Sequence, residues 1–240
     1  MAKYLTEFNT YAEYQAATLN LPNVSLIKST GKVYYKNIFA GASLGDILMW
    51  DNVNNKLVTT IGGNWNTTMY PIAQYEPIAI NIYPADQTSD GKSRWLSLKW
   101  VDKNNSSGNY NVQTYKWGLT SQTISTDVTL FNGRENTNSI LNLQDTNNVV
   151  FNAVNIFYTS GTQAGDWYLP SYKELSLYAS NFADINTKIG ATNLSSTSGR
   201  LWTSTTVASD TSNAYMLSSG KLLMRLKTQD AEGARAMLSL

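Results

Sequence analysis

Short apolar runs separated by turn-forming residues occupy the first forty positions of the chain. Thr10 and Glu13 have the capping-box spacing, in which a threonine side chain accepts the N3 amide and a glutamate reaches back, so a short helix is predicted to begin near Tyr11. Residues 23–27 and 32–35 are β-prone runs around a turn and predict a β-hairpin. This segment has too little apolar surface to fold stably alone, so we expect it to need a partner surface.

Longer β-prone runs begin at about Leu44, where the main domain is predicted to start. Residues 46–51 and 56–60 predict a strand pair around a turn. Residues 78–83 are almost continuously apolar, which predicts a central strand, and residues 95–101 predict another strand.

Helical spacing replaces this pattern in the middle of the chain. Residues 137–143 and 149–158 have apolar positions three and four apart and predict two helical pieces. A second capping box, Ser171 with Glu174, directly follows Pro170 and predicts a further helix.

The last third of the chain returns to short β-prone runs, which predict a β-meander: residues 201–204, 213–217, 222–226 and 234–238. The pattern as a whole predicts an α+β fold, in which a short helix and a hairpin precede a mixed domain.

The composition lacks the side chains on which many catalytic sites depend. The chain has no cysteine and no histidine, which excludes disulfides, thiolate zinc sites and the usual general base. A net charge of +1 gives no field to attract nucleic acid or an anionic membrane. No apolar stretch approaches the ~20 residues of a membrane span or forms a signal-peptide core, so we expect synthesis in a bacterial cytoplasm and no membrane insertion.

Several segments of the main domain resemble, in order, a family with a C-type-lectin-like fold that is related to formylglycine-generating enzymes. Its pattern W-x-L-P-[ST]-x-x-E-L, then W-[ST]-S-T, then A-[WY], is similar to residues 166–175, 201–205 and 213–215. Its G-x-x-N-T segment and earlier strands are similar to residues 132–137, 77–80 and 94–98. The resemblance covers Leu44 to Leu240 and implies a C-type-lectin-like domain.

This chain also departs from that family. The usual V-R-x-V-R end is replaced by residues 233–237, Gly-Ala-Arg-Ala-Met, which retain one arginine. The cysteines that carry oxygen chemistry in the formylglycine-generating enzymes are absent, so that activity is not implied. The calcium-binding sugar tripeptides of animal lectins are not seen either.

Residues 8–35 resemble the N-terminal segment that recurs on structural proteins of crAss-like phages infecting Bacteroides. The resemblance implies a shared docking surface on the virus particle, and it divides the chain into an attachment segment, residues 1–43, and a display domain, residues 44–240. The residues expected to dock are Leu21, Pro22, Asn23, Val24, Tyr34 and Tyr35.

Most of the motif residues of the display domain are interpreted as structural. Trp167, Leu169, Pro170, Leu175 and Trp202 are expected in the core. Glu174 is interpreted as a helix-capping carboxylate, since no second carboxylate occupies a motif position to pair with it for glycoside hydrolysis. Asp166 is expected in a turn, with sugar binding as the alternative, and Arg225 and Arg235 in ion pairs inside the domain.

Aromatic residues near polar loops are the candidate sugar platforms, because the C–H face of a sugar stacks on an exposed ring. Asp166 is the candidate that would bind the hydroxyl groups of the sugar. The candidate glycan contacts are therefore Trp65, Tyr70, Trp117, Asp166 and Tyr168.

The leading hypothesis is an oligomeric head fibre or decoration fibre on the virion surface. Residues 1–43 would contact capsid or other virion proteins, and the lectin-like domain would face host glycans. A dimer or a trimer is expected, because a small attachment segment needs avidity. The alternatives are a bacterial surface adhesin or lectin, a carbohydrate-active enzyme, and a purely architectural protein. No catalytic, cofactor or metal residue is predicted.

Overall fold

A computed structural model describes the secondary structure over most of the chain, and within it the fold is mixed α+β with β-sheet predominating. The predicted helix near Tyr11 lies outside the described residues, which are 5–8, 24–27, 32–35, 42–60, 70–102, 104–109, 113–121, 123–147, 149–189, 200–218, 220–230 and 232–240.

The N-terminal segment contributes three strands: β1 (Leu5–Phe8), β2 (Val24–Ile27) and β3 (Lys32–Tyr35). β2 and β3 pair antiparallel, which confirms the predicted hairpin. β1 pairs with β2 in parallel, which the local pattern did not indicate. Among the described strands, these three pair only with one another.

A five-stranded antiparallel sheet forms the centre of the main domain, in the order β13-β7-β6-β4-β5. The middle strand is β6, as the apolar run at residues 78–83 predicts. The members of this sheet are β4 (Ile47–Asp51), β5 (Lys56–Thr59), β6 (Tyr75–Tyr83), β7 (Arg94–Ser97) and β13 (Met237–Ser239).

The single strand predicted at residues 95–101 is wrong, because the chain turns inside it. Ser97 Oγ accepts the Lys99 amide at 3.1 Å and donates to the Lys99 carbonyl at 2.9 Å, which closes a turn after β7. The chain then enters β8 (Trp100–Asp102), which pairs with β9 (Asn105–Asn109) in a separate small sheet.

The predicted meander is confirmed for three of its four strands. β10 (Leu201–Thr206), β11 (Asn213–Ser218) and β12 (Lys221–Leu226) form an antiparallel sheet in that order. The fourth run instead supplies β13, which crosses to the central sheet and pairs with β7.

Four α-helices lie within the described residues, besides a short 3₁₀ turn at Ala85–Gln87. None of them is long and apolar enough to cross a bilayer. The two middle helical pieces and the helix after Pro170 are confirmed, as α1 (Gly133–Leu141), α2 (Val149–Ile156) and α3 (Tyr172–Ser180), followed by α4 (Phe182–Ile189).

Apolar side chains alternate between the two faces of the central sheet and build a core on each. Leu48 and Trp95 belong to one buried cluster, and their chain neighbours Met49 and Leu96 belong to the other. The first cluster also holds the α2 stripe, with Val150 among its members, and the second holds Leu175 and Tyr178 of α3. The sheet is therefore covered on both sides, which explains its continuously buried central strand.

A tight loop after α2 holds the edge of the central sheet. Gly161 has a φ of +76°, and a Cβ at this position would lie 2.3 Å from Trp50 Cε3 and 2.9 Å from Leu57 Cδ2. The neighbouring Ser160 Oγ donates to Glu76 Oε2 at 2.6 Å. Glycine is required here both by the backbone conformation and by the close approach of the indole.

Gly161→Ala is expected to destabilise the protein more than Gly165→Ala, and urea denaturation followed by tryptophan fluorescence measures both. The two glycines share the loop and a positive φ, but a Cβ at Gly165 meets nothing within 4 Å. We expect a loss of about 1–2 kcal/mol for Gly165→Ala from backbone strain alone. Gly161→Ala should lose about 1–3 kcal/mol more from overpacking. Equal losses would contradict the packing of Trp50 on this loop.

Candidate functional site

The family-like motifs of the display domain meet around one carboxylate, Glu174, in the first turn of α3. Ser171 Oγ accepts the Glu174 amide at 3.4 Å, and the Ser171 amide donates to Glu174 Oε2 at 2.7 Å. This reciprocal pair is the predicted capping box, and it is confirmed. Ser171 Oγ also donates to the Leu130 carbonyl at 2.9 Å, which ties the helix start to the segment before α1.

The Glu174 carboxylate is buried, with a side chain 1% exposed, and Arg94 of β7 balances its charge. Arg94 Nε donates to Oε1 at 3.0 Å, and the Tyr168 hydroxyl donates to the same oxygen at 2.9 Å. On its other side, Arg94 contacts Asp90 Oδ2 at 2.9 Å and the Lys92 carbonyl at 2.8 Å. The guanidinium therefore links a buried carboxylate to one that is 44% exposed.

Burial dominates the electrostatics of this centre. It raises the pKa of the Glu174 carboxyl, and the Ser171 amide, Arg94 and the Tyr168 hydroxyl offset part of that effect. Burial, followed by the neighbouring Glu174 carboxylate, raises the pKa of Tyr168 well above its ordinary value. Both Glu174 oxygens are engaged by protein donors, so the arrangement holds secondary-structure elements together.

Helix α1 begins directly against this carboxylate. A Cβ at Gly133 would lie 2.4 Å from Glu174 Oε2 and 2.8 Å from both the Leu169 carbonyl and the Ser171 amide. Only glycine therefore allows the approach. The partial positive charge at the start of α1 lies beside the carboxylate, which is a favourable placement.

The polar residues of α1 connect the other two motifs to the same place. Thr137 Oγ1 accepts the Leu169 amide at 3.0 Å, and Asn136 Nδ2 donates to Ser204 Oγ at 3.1 Å. The Tyr172 amide donates to Thr205 Oγ1 at 2.9 Å. We call the set the Glu174 cluster: Arg94, Gly133, Asn136, Thr137, Tyr168, Ser171, Glu174, Ser204 and Thr205.

The motif residues expected in the core are confirmed there: Trp167, Leu169, Pro170, Leu175 and Trp202 are all buried. Sequence reasoning assigned no role to Arg94, which lies 80 positions before its partner. The sequence shows that Arg94 begins a β-prone run, but the neighbouring residues do not indicate which carboxylate it binds.

One of the two predicted arginine ion pairs is confirmed. Arg225 Nε lies 3.0 Å from Glu232 Oε1. The prediction for Arg235 is wrong, because in the described part of the chain its guanidinium meets carbonyls and a ring instead of a carboxylate. Arg235 donates to the Leu98 carbonyl at 2.6 Å and lies 4.4 Å from the Trp100 ring centroid, since the crossing to β13 brings it beside the turn after β7.

Trp117 is wrongly predicted as a sugar platform, because its ring is fully buried. Its Nε1 donates to the Thr203 carbonyl at 2.7 Å, and Phe151 packs against it edge to face at 4.9 Å. The Lys227 ammonium lies 4.6 Å from the ring centroid. No face of this indole is open to a ligand.

Tyr168 is likewise excluded as a sugar platform, because it is 2% exposed and its hydroxyl is committed to Glu174. The Arg134 guanidinium lies 4.8 Å from its ring centroid. Asp166 has the expected turn role, since its Oδ2 accepts the Gln163 amide at 2.8 Å.

The remaining glycan candidates stay predictions. Tyr70 is half-buried and packs edge to face on Tyr75 at 5.5 Å, so part of its surface is accessible, whereas Trp65 lies outside the described residues. Of the docking residues, Val24 lies on β2 and Tyr34 and Tyr35 lie on β3, while Leu21, Pro22 and Asn23 lie outside the described residues. The described residues contain no cluster of acidic groups that could hold a metal ion.

No protein-family model and no curated protein matches the chain. Among solved structures, the chain is similar to one described as the crystal structure of a fimbrial protein from Bacteroides ovatus ATCC 8483, with 14% sequence identity and a TM-score of 0.48. The match covers 82% of this chain and 48% of that protein, so this chain spans about half of its length.

Glu174→Gln is expected to destabilise the protein far more than Asp90→Asn, although both carboxylates bind the same guanidinium. Removing one partner of a buried ion pair costs about 3–5 kcal/mol. The exposed Asp90 contact is screened by solvent and should contribute about 0–1 kcal/mol. The free energy of unfolding in urea measures both, and similar losses would show that Glu174 does not hold the cluster together.

Lys227 predicts a pH dependence in the alkaline range. Burial lowers its pKa to about 8, with the nearby Asp210 opposing the shift. The unfolded chain, with an ordinary lysine pKa of about 10.4, therefore binds more protons than the folded one between these values, so this group makes stability rise with pH. From about pH 8 to about pH 10, the wild type should gain stability relative to Lys227→Met. Parallel pH profiles would contradict the burial of the ammonium.

Proposed function

We propose that the chain is a non-catalytic structural protein of a virion appendage, anchored by residues 1–43 and displaying the domain of residues 44–240. In this proposal it is a head fibre or decoration fibre of a crAss-like phage, the display domain is C-type-lectin-like, and the protein acts on the virion surface as an oligomer.

The observation that carries this proposal is the separate pairing of the N-terminal strands. β1, β2 and β3 hydrogen-bond with one another, while every strand from β4 onward pairs within the main domain. A three-stranded sheet of four-residue strands is marginal without a surface to cover it. Docking on a particle protein would supply that surface.

The Glu174 cluster supports the non-catalytic part of the proposal. Glu174, the glutamate of the motif, is buried. Protein groups donate hydrogen bonds to both of its carboxylate oxygens. The cluster joins the starts of α1 and α3 to β7 and β10, and such cross-linking suits a rigid display scaffold. Tyr70 is the ring among the described glycan candidates that keeps accessible surface for a host sugar.

The test is incorporation into particles during assembly. The full chain and a chain lacking residues 1–43 are compared for cooperative unfolding and for co-sedimentation with purified virions. We expect the truncated chain to remain folded and to be absent from particles. A fusion of residues 1–43 to an unrelated carrier protein should bring the carrier to the particle, which keeps the test decisive if the truncated chain folds poorly.

Point variants give the matched control. Tyr34→Ala with Tyr35→Ala should reduce incorporation, whereas Tyr158→Ala, which removes a tyrosine 42% exposed on the display domain, should not. Incorporation of the truncated chain at the level of the full chain would overturn the proposal. Binding of the full chain to bacterial surfaces with no association with particles would favour the adhesin alternative.

A further inference from the structure

In the main domain, the outer edges of β10 and β13 are covered by backbone from elsewhere in the chain. The amides of Trp202, Ser204 and Thr206, which alternate along the outer edge of β10, donate to three different segments at 3.0, 2.7 and 3.2 Å. At the edge strand β13, Met237 and Tyr168 exchange two backbone hydrogen bonds. Covered edges of this kind cannot recruit another strand.

The outer edge of β12 is different. Its pairing with β11 runs without a bulge from Lys221 opposite Ser218 to Leu226 opposite Asn213. The Lys227 amide donates to the Ser212 carbonyl at 3.1 Å, so by alternation the odd-numbered residues of β12 bond to β11.

The even-numbered residues Leu222, Met224 and Leu226 therefore direct their backbone groups outward. In the part of the chain that the structure describes, only the Leu226 carbonyl has a partner there, the Gln229 amide at 3.1 Å.

Three apolar side chains of this edge are exposed. Leu223 is 48% exposed, Met224 is 60% exposed and Leu226 is 36% exposed. Sheet edges that must stay monomeric normally carry charges, prolines or bulges at such positions. A regular edge with four apolar residues among its six is therefore a surface that favours strand addition.

The charges along β12 are compatible with pairing to a second copy of the same strand. Arg225 is paired with the buried Glu232, and the Lys227 ammonium lies inside the domain over Trp117. Lys221, at the start of the strand, carries an exposed charge. A second β12 can therefore approach the middle of this edge without meeting an unpaired cation.

We propose that β12 pairs antiparallel with β12 of a second copy of this chain, about a two-fold axis at Met224. In this register Met224 faces Met224 of the second copy, and Leu222 faces Leu226 on both sides of the axis. Each outward amide of Met224 and Leu226 finds a carbonyl that has no other partner among the described residues, and one face of the new ladder is entirely apolar. The proposal adds a self-association site to the proposed appendage, and it does not depend on the attachment segment.

Neighbouring registers that keep the outward residues opposite one another are worse. A shift of the axis to Leu223 places Lys221 opposite Arg225, and a shift to Arg225 places the two Arg225 side chains opposite each other. Like charges directly across a strand pair are destabilising. In the proposed register Lys221 lies opposite Lys227, whose ammonium is directed into the domain, so the exposed cations of β12 do not face each other.

A strand pair of this length buries less surface than the ~1,200 Å² of stable complexes, so association of free chains should be weak. Anchoring many copies on one particle would raise their effective concentration and favour pairing. The site therefore fits a protein displayed in an array.

The register is tested with single cysteines in the full chain, which has none of its own. In the proposed pair the two Met224 Cα atoms lie about 5.5 Å apart, within the range of disulfides. We expect Met224→Cys to form a covalent dimer under mild oxidation. Ile72→Cys is the matched control, because Ile72 is 62% exposed and lies in the turn before β6. Equal cross-linking of the two variants would overturn the proposal.

Sedimentation equilibrium at high concentration tests the interface independently. Met224→Lys and Met224→Glu should each weaken self-association by at least about tenfold, because they place like charges across the axis. An equimolar mixture of the two should restore it, and Ile72→Lys should leave it unchanged.

Self-association of Met224→Lys at the wild-type level would overturn the β12 pairing. That result would leave the attachment role of residues 1–43 intact, since that role is read out by particle incorporation.

Discussion

A carboxylate buried at the start of α3 is the constraint on which the main domain depends. Taking Glu174 out of water is costly unless every oxygen receives a hydrogen bond and an opposite charge lies close by. Arg94, Tyr168 and the Ser171 amide supply these contacts from a strand, a loop and the helix itself. The carboxylate therefore requires distant segments to converge at one point, and Gly133 leaves the space for α1 to join them.

The two cores extend from that point. β7 carries Arg94 into the Glu174 cluster and also places Trp95 in one apolar cluster and Leu96 in the other. β10 contributes Ser204 to the cluster and Trp202 to the core, with the Trp202 Nε1 donating to the Tyr115 carbonyl at 2.8 Å. The motif residues of β10 thus serve packing as well as the hydrogen bonds of the cluster.

The edges of the sheets divide the same domain into covered and open sides. β10 and β13 are sealed by backbone from other segments, whereas β12 presents an apolar ladder. A rigid domain with an open edge at β12 is suited to lateral assembly, while the separately paired N-terminal strands are suited to anchoring. These two features make the appendage proposal more specific.

Local signals in the sequence determined much of the secondary structure. The capping box at Ser171 and Glu174, the stripe containing Val150 and Val154, and the apolar run of β6 depend on neighbouring residues, and all three are confirmed. Burial of the motif residues Leu169 and Trp202 was predictable too, because large apolar side chains with helix or strand spacing have few other places to go.

Only the tertiary structure decided the contacts between distant segments. The partner of Arg94 lies 80 positions away, the crossing of β13 moves Arg235 next to the Trp100 ring, and Trp117 is enclosed by Phe151 and Lys227. A sequence pattern indicates which secondary structure a short segment favours. The exposure and the ion pairs of a side chain depend instead on which strands become neighbours in the fold. For that reason the sequence predicted the elements and the burial of the motif residues, whereas the fold decided which distant groups meet at Glu174 and that the edge of β12 is open.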